Sequence, residues 1–228
     1  MINYFNKFLH IFVFIVLIST QAKLFAGAFD DFFKAIALDD ARGVTSLLQR
    51  GFDPNTRNQN GVPGIVLAAS ESSLKSLDVL LSWPKVDVEA RNADDESALM
   101  MVSLRGHFDI AKRLIARNAD VNKTGWAPLH YAASGGHVDA IALLLEHHAY
   151  IDAESPNGTT PLMMAARYGN IESVKLLLER GADATLKNQL KLDALDFAEL
   201  GSRPDAIQLL SIVLKRQPRP QQLSPSLL

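Results

Sequence analysis

The chain contains no cysteine among its 228 residues. Disulfide staples and a cysteine-anchored lipid are thereby excluded, and the fold must be indifferent to redox conditions. Marks of catalysis are missing too: no Gly-rich phosphate loop, no Gly-x-Ser-x-Gly elbow and no His-Glu-x-x-His helix. A cationic excess is also lacking. The first 28 residues hold Lys7 and Lys23 and no acid, so the rest carries two fewer than the chain's 23 basic residues against all 25 acidic ones, a net charge of −4. The remaining basic residues are scattered rather than striped, which speaks against nucleic acid as a partner. There is no collagen-like or heptad bias, and at 48% hydrophobic content the chain can build a sizeable elongated core.

What is present is a phrase that returns. Gly125-Trp126-Ala127-Pro128-Leu129-His130-Tyr131-Ala132-Ala133 is answered 33 residues later by Gly158-Thr159-Thr160-Pro161-Leu162-Met163-Met164-Ala165-Ala166. Each copy leads to Gly136-His137 or Gly169-Asn170 and then to Leu143-Leu144-Leu145 or Leu176-Leu177-Leu178. Weaker copies open at Gly61, Asp95 and Lys191, and a first degenerate one places Phe32, Ala35 and Leu47-Leu48 in register. The register gives six repeats, about 28–60, 61–94, 95–124, 125–157, 158–190 and 191–217.

One copy explains its own residues. Thr160 can cap a helix that Pro161 starts without losing a needed bond. Ala165-Ala166 keep that helix thin enough for close packing. Val174, Leu177 and Leu178 form the apolar stripe of the next helix, and Gly181 supplies its left-handed end. His148 stands where Gly181 stands one repeat later, a conformation histidine adopts only at some cost, and Lys85 and Asn118 depart at the same place. A single helix pair cannot bury its apolar face, so the repeats stack and the end repeats should be more polar outside. Asp30-Asp31 at one end and Asp193, Asp196 and Glu199 at the other fit this in part. Leu67, Met101, Tyr131, Met164 and Phe197 recur at one position and are expected in the core.

The Pro-Leu-His-x-Ala-Ala box, the Gly-His hinge, the Leu-Leu-Leu helix and the Gly-Ala-Asp exit at Gly181 resemble the ankyrin repeat. The resemblance implies an all-α fold, a solenoid of about six stacked helix-turn-helix units with short β-turn loops over residues 29–217. It implies a structural His130 that hydrogen-bonds neighbouring turns. It further implies a monomeric, non-catalytic module without cofactors, which binds a folded protein on its concave face as adaptor or stabiliser. An immunity or inhibitor protein that blocks a toxin or envelope enzyme is the alternative within that class. A histidine-based metal or small-ligand protein is the alternative outside it, using His107, His137, His147 and His148. His107 and His137 would lie about 8–10 Å apart in successive repeats.

Residues 1–28 read differently. Lys7 precedes an apolar stretch from Phe8 to Ile18, and Ala26-Gly27-Ala28 offers a small-x-small cleavage pattern. The stretch suits a signal peptide cut after Ala26 or Ala28, and is short for the ~20 residues that cross a bilayer. An exported protein is therefore expected, touching the membrane only in transit, and the ankyrin resemblance implies that it is bacterial, periplasmic or secreted; an uncleaved N-terminal anchor is the other reading. From Gln217 the chain is too proline-rich to extend the array and reads as a flexible tail.

Binding should fall on positions the repeat leaves free: the residue after each opening glycine, and the pair after Ala-Ala. These select Glu96, Trp126 and Thr159 at the turns, and Leu104, Arg105, Ser134, Arg167 and Tyr168 at the helix ends, Ser134 being followed by Gly135. Trp126 stands out because nothing in the repeat asks for an aromatic there. Arg105 and Arg167-Tyr168 flank the low point at Ser134-Gly135, a notch suited to an acidic or aromatic side chain. Asn122-Lys123-Thr124 and Asn157-Gly158-Thr159 match glycosylation acceptors but sit where Asn is simply good turn chemistry.

Overall fold

The computed structural model describes residues 27–215. The apolar N-terminal stretch and the Pro-rich tail expected from Gln217 lie outside them. The described backbone is helical, with isolated antiparallel bridges Arg57–Pro63 and Arg91–Ser97 at turn tips. None of its helices is long and apolar enough to cross a membrane.

The chain divides into two compact units, Met1–Val86 and Asp87–Leu228. The first pairs α1 (27–37) with α2 (Ala41–Gln49) and α3 (Gly64–Ser70) with α4 (Leu74–Ser82). There Phe32 and Ile36 press on Gly64, where an added Cβ would come within 2.8 Å of the Phe32 ring. The second unit holds four helix pairs: α5 (Ala98–Arg105) with α6 (Phe108–Ala116), α7 (Pro128–Gly135) with α8 (Val138–Glu146), α9 (Pro161–Arg167) with α10 (Ile171–Glu179), and α11 (Ala194–Leu200) with α12 (Pro204–Leu214). First helices pack on first helices in the order α5, α7, α9, α11, and second on second in the order α6, α8, α10, α12.

Local chemistry sets these boundaries. Thr160 Oγ1 accepts the Met163 N–H as N-cap, and Pro161 opens α9. Ala132-Ala133 and Ala165-Ala166 are fully buried, which lets first helices approach. Gly181, Asn118 and His148 all end second helices in the left-handed region, at φ 95°, 63° and 64°. Lys85 does not. Trp83 precedes Pro84, whose ring disfavours helical backbone at the residue before it. Trp83 is accordingly extended (φ −81°, ψ 123°), and α4 leaves by a different path from the other second helices.

Two further expectations are corrected. Asp193 and Asp196 do not dress the outside of the last repeat; each is 2% exposed. Asp193 Oδ1 accepts the Leu195 and Asp196 N–H groups, while Asp196 Oδ2 accepts the Asp193 N–H, closing a capping box. Of the expected core row, Met101 and Phe197 are buried, but Leu67, Tyr131 and Met164 are only half-buried. They lie one residue before the Ala-Ala pair, on the edge of the packed face.

Candidate functional site

The second unit is tied together by side chains that reach backbone groups of the neighbouring repeat. His130 is fully buried; its Nδ1 accepts the Ala127 N–H, so Nε2 carries the proton and donates to Thr159 O at 2.9 Å. Burial holds the imidazole below its usual pKa, against the opposing pull of its backbone hydrogen bonds. Loop residues form a second relay. Glu89 accepts the Asp120 N–H, Asn122 donates to His148 O and accepts the Tyr150 N–H, and Asp152 accepts the Asp183 N–H. A third relay runs the other way at the hinges, where His137 Nε2 meets Leu104 O, Asn170 Nδ2 donates to Gly136 O and Arg203 donates to Gly169 O. Asn122 is thus engaged at both ends of its amide, as turn chemistry requires.

The turn positions expected to bind are largely consumed by these relays. Thr159 is 2% exposed, because its carbonyl is the acceptor for His130 and Ser155 Oγ takes its N–H. It offers no side chain to a partner. Glu96 is half-buried and accepts from Tyr131 Oη at 3.0 Å and Asn92 Nδ2 at 2.7 Å. Burial, and then this hydrogen bond and the Glu96 charge, push the Tyr131 phenol far above its ordinary pKa. Trp126 is half-buried, with its ring edge-on to His130 at 5.2 Å between centroids. α7 separates it from Ser134-Gly135 by eight residues, about 12 Å at the helical rise. Trp126 and the notch are therefore opposite ends of one helix.

The helix-end positions do come together. Leu104, Ser134 and Arg167 are half-buried in one row, while Arg105, Gly135 and Tyr168 are exposed in the next. Tyr168 is 51% exposed, and the Arg167 guanidinium carbon lies 4.9 Å from its ring centroid. Leu200, 55% exposed, continues the row beyond Arg167.

The four histidines do not form one cluster: His107 and His137 lie near each other, apart from His147-His148. His137 spends Nε2 on Leu104 O, and His147-His148 lie at the far end of α8, nine helical residues away. Among the described residues no three His, Cys, Asp or Glu side chains are placed to hold a metal ion. Burial, Arg105 and His137 together lower the His107 pKa.

A family model described as ankyrin repeats in three copies matches residues 32–124, 65–155, 99–188 and 151–211. The chain is an ankyrin-repeat protein. Similar proteins include the ankyrin repeat and KH domain-containing protein mask of Drosophila melanogaster, 36% identical over 129 residues, which are 54% of this chain and 3% of that protein. The B-cell lymphoma 3 protein homolog of Mus musculus is 31% identical over 152 residues, 64% of this chain and 34% of that protein. The ankyrin chain thus spans at most about a third of either relative. Among solved structures, a chain from the complex of the Bd0816 predatory endopeptidase of Bdellovibrio bacteriovorus with immunity protein Bd3460 superimposes with a TM-score of 0.69 at 29% identity, covering 80% of this chain and 97% of that one.

Proposed function

We propose that this ankyrin protein is a non-catalytic immunity or inhibitor module that docks on a folded endopeptidase and keeps it inactive in the cell that makes both. Ankyrin repeats mediate protein–protein interaction, and the helix-end row of the second unit supplies exposed arginine and tyrosine, the residue types that anchor interfaces. The observation that carries the choice of immunity over adaptor is the solved complex. Its ankyrin-like chain is covered almost end to end, and the complex joins an immunity protein to an endopeptidase.

Export belongs to the same proposal. Lys7, the Phe8–Ile18 stretch and Ala26-Gly27-Ala28 form the pattern of a cleaved signal.

The test is enzymatic. Added in excess to an envelope extract of its own cells, the purified chain should suppress endopeptidase activity, and its removal should restore it. Full peptidase activity at saturating chain rejects the inhibitor reading in favour of the adaptor. N-terminal sequencing of the exported protein checks the signal; an intact Met1 rejects cleavage.

A further inference from the structure

We infer that the notch over Gly135 seats an acidic segment of the partner protein, with separate carboxylates of that segment on Arg105 and on the Arg167–Tyr168 stack. This deepens the docking function proposed above and rests on it.

Position for position, successive repeats of the second unit present Arg105, Gly135, Tyr168 and Gly201. The notch is built into the backbone. A Cβ on Gly135 would stand 2.5 Å from Leu104 O and 2.6 Å from His137 Cδ2, so no side chain can fill the site without moving the ring from its hydrogen bond to Leu104 O. Gly201 is under the same constraint, with Arg167 O at 2.5 Å.

Between these two glycines the fifth repeat is rebuilt. Its close-approach glycine shifts one residue on, to Gly169, whose Cβ would collide with Ala133 O. The hinges of the third and fourth repeats turn through left-handed Gly106 and Gly136, but this one has no left-handed residue, and Asn170 caps α10 by accepting the Ser173 N–H. The change frees position 168 for a side chain, and the chain places there a tyrosine that remains half exposed. A ring left in solvent contributes little to folding, so its value lies in what it can cover.

Charge identifies the occupant. At the turn tips three cations are neutralised within the chain: Lys123 pairs with Asp95, Lys187 with Asp193 and Arg91 with Glu89. At the helix ends Arg203 is engaged with Gly169 O, but Arg105 and Arg167 form no ion pair among the described residues. Each of the two unneutralised guanidinium groups flanking the glycine floor matches a carboxylate, which the planar fork takes in a bidentate hold. Arg105 and Tyr168 are two repeats apart, about 16–20 Å at ordinary helix spacings. An isolated small anion cannot bridge that distance, whereas an extended segment of about five or six residues can. Exposed Leu200 offers the segment an apolar edge past Arg167.

The experiment places a photo-crosslinking amino acid at position 168, 126 or 150 of the full-length protein in its own cells. Tyr150 is 68% exposed at the exit of α8, away from the notch. Expected is an adduct from position 168 that maps to an Asp- or Glu-rich segment of a partner protein. Its yield should fall at least about tenfold when Arg105→Glu and Arg167→Glu are combined, while the circular dichroism and Tm of that variant stay unchanged. An adduct from 126 or 150 but not from 168, or a yield indifferent to the charge reversal, overturns the notch and leaves the docking function standing. No protein adduct from any of the three positions overturns the docking function itself.

Discussion

Replacing His130 by methionine tests the interior logic of the array, because the chain makes this exchange itself. Met100 and Met163 occupy the same position in neighbouring repeats, and their sulfurs accept the Ser97 and Thr160 N–H groups at 3.4 Å. In His130→Met the Ala127 N–H therefore keeps an acceptor, while Thr159 O loses one of its two donors and keeps the Ser155 N–H. Loss of one buried hydrogen bond costs about 0.5–1.5 kcal/mol, so at pH 7.5 the variant should be less stable by that amount. The pH dependence is the sharper part. Burial lowers the folded-state pKa of His130, so below the unfolded value of about 6.5 the unfolded chain binds the proton and the folded chain resists it. Stability conferred by neutral His130 is complete above pH 6.5 and is lost as pH falls toward the folded pKa, at up to about 1.4 kcal/mol per pH unit. Methionine does not titrate, and the other histidines are common to both proteins and cancel. Urea denaturation followed by far-UV circular dichroism should show the gap between the proteins shrinking by up to about 1.4 kcal/mol from pH 6.5 to 5.5. A gap that is constant or widens in acid refutes a buried neutral imidazole at this site.

His148→Gly should raise stability by about 0.5–1 kcal/mol, a Tm gain of about 1–4 °C, by relieving a left-handed histidine; an unchanged or lower Tm contradicts the strain. Asn122→Ala should cost about 1–2 kcal/mol in urea denaturation through loss of the His148 O and Tyr150 N–H bonds, and a cost near zero would mean water replaces both. Tyr131→Phe should cost about 0.5–1.5 kcal/mol at neutral pH. The raised phenol pKa stabilises the fold below the unfolded value of about 10 and is lost above it, so the variant should resist alkaline denaturation better; equal alkaline midpoints contradict this.

Sequence makes the repeat legible because its residues perform local work. Thr160, Pro161, His130 and Gly181 each satisfy or terminate backbone groups within a few residues, and the structure places each as its chemistry predicts. Lys85 breaks the expected pattern where one local rule overrides another: the pull of Pro84 on Trp83 outweighs the register. The site is less legible, because exposure at a turn depends on what the next repeat requires. Thr159 looks free in its own repeat, yet His130, 29 residues earlier, claims its carbonyl. Trp126 reads as an aromatic the repeat does not need, but the structure half-buries it against His130. The rebuilt hinge at Tyr168-Gly169-Asn170 leaves a readable trace in the one-residue displacement of its glycine from the position of Gly135.

The relays at turn and hinge impose a grammar on the array. Repeats of the second unit give side chains forward, as Asn122 does to His148 O, and backward, as His137 does to Leu104 O. A repeat transplanted alone would arrive holding donors for neighbours it no longer has, and would leave its old neighbours with unanswered carbonyls. Such a chain can lengthen by copying whole periods with both clasps intact, but it cannot be shuffled by halves.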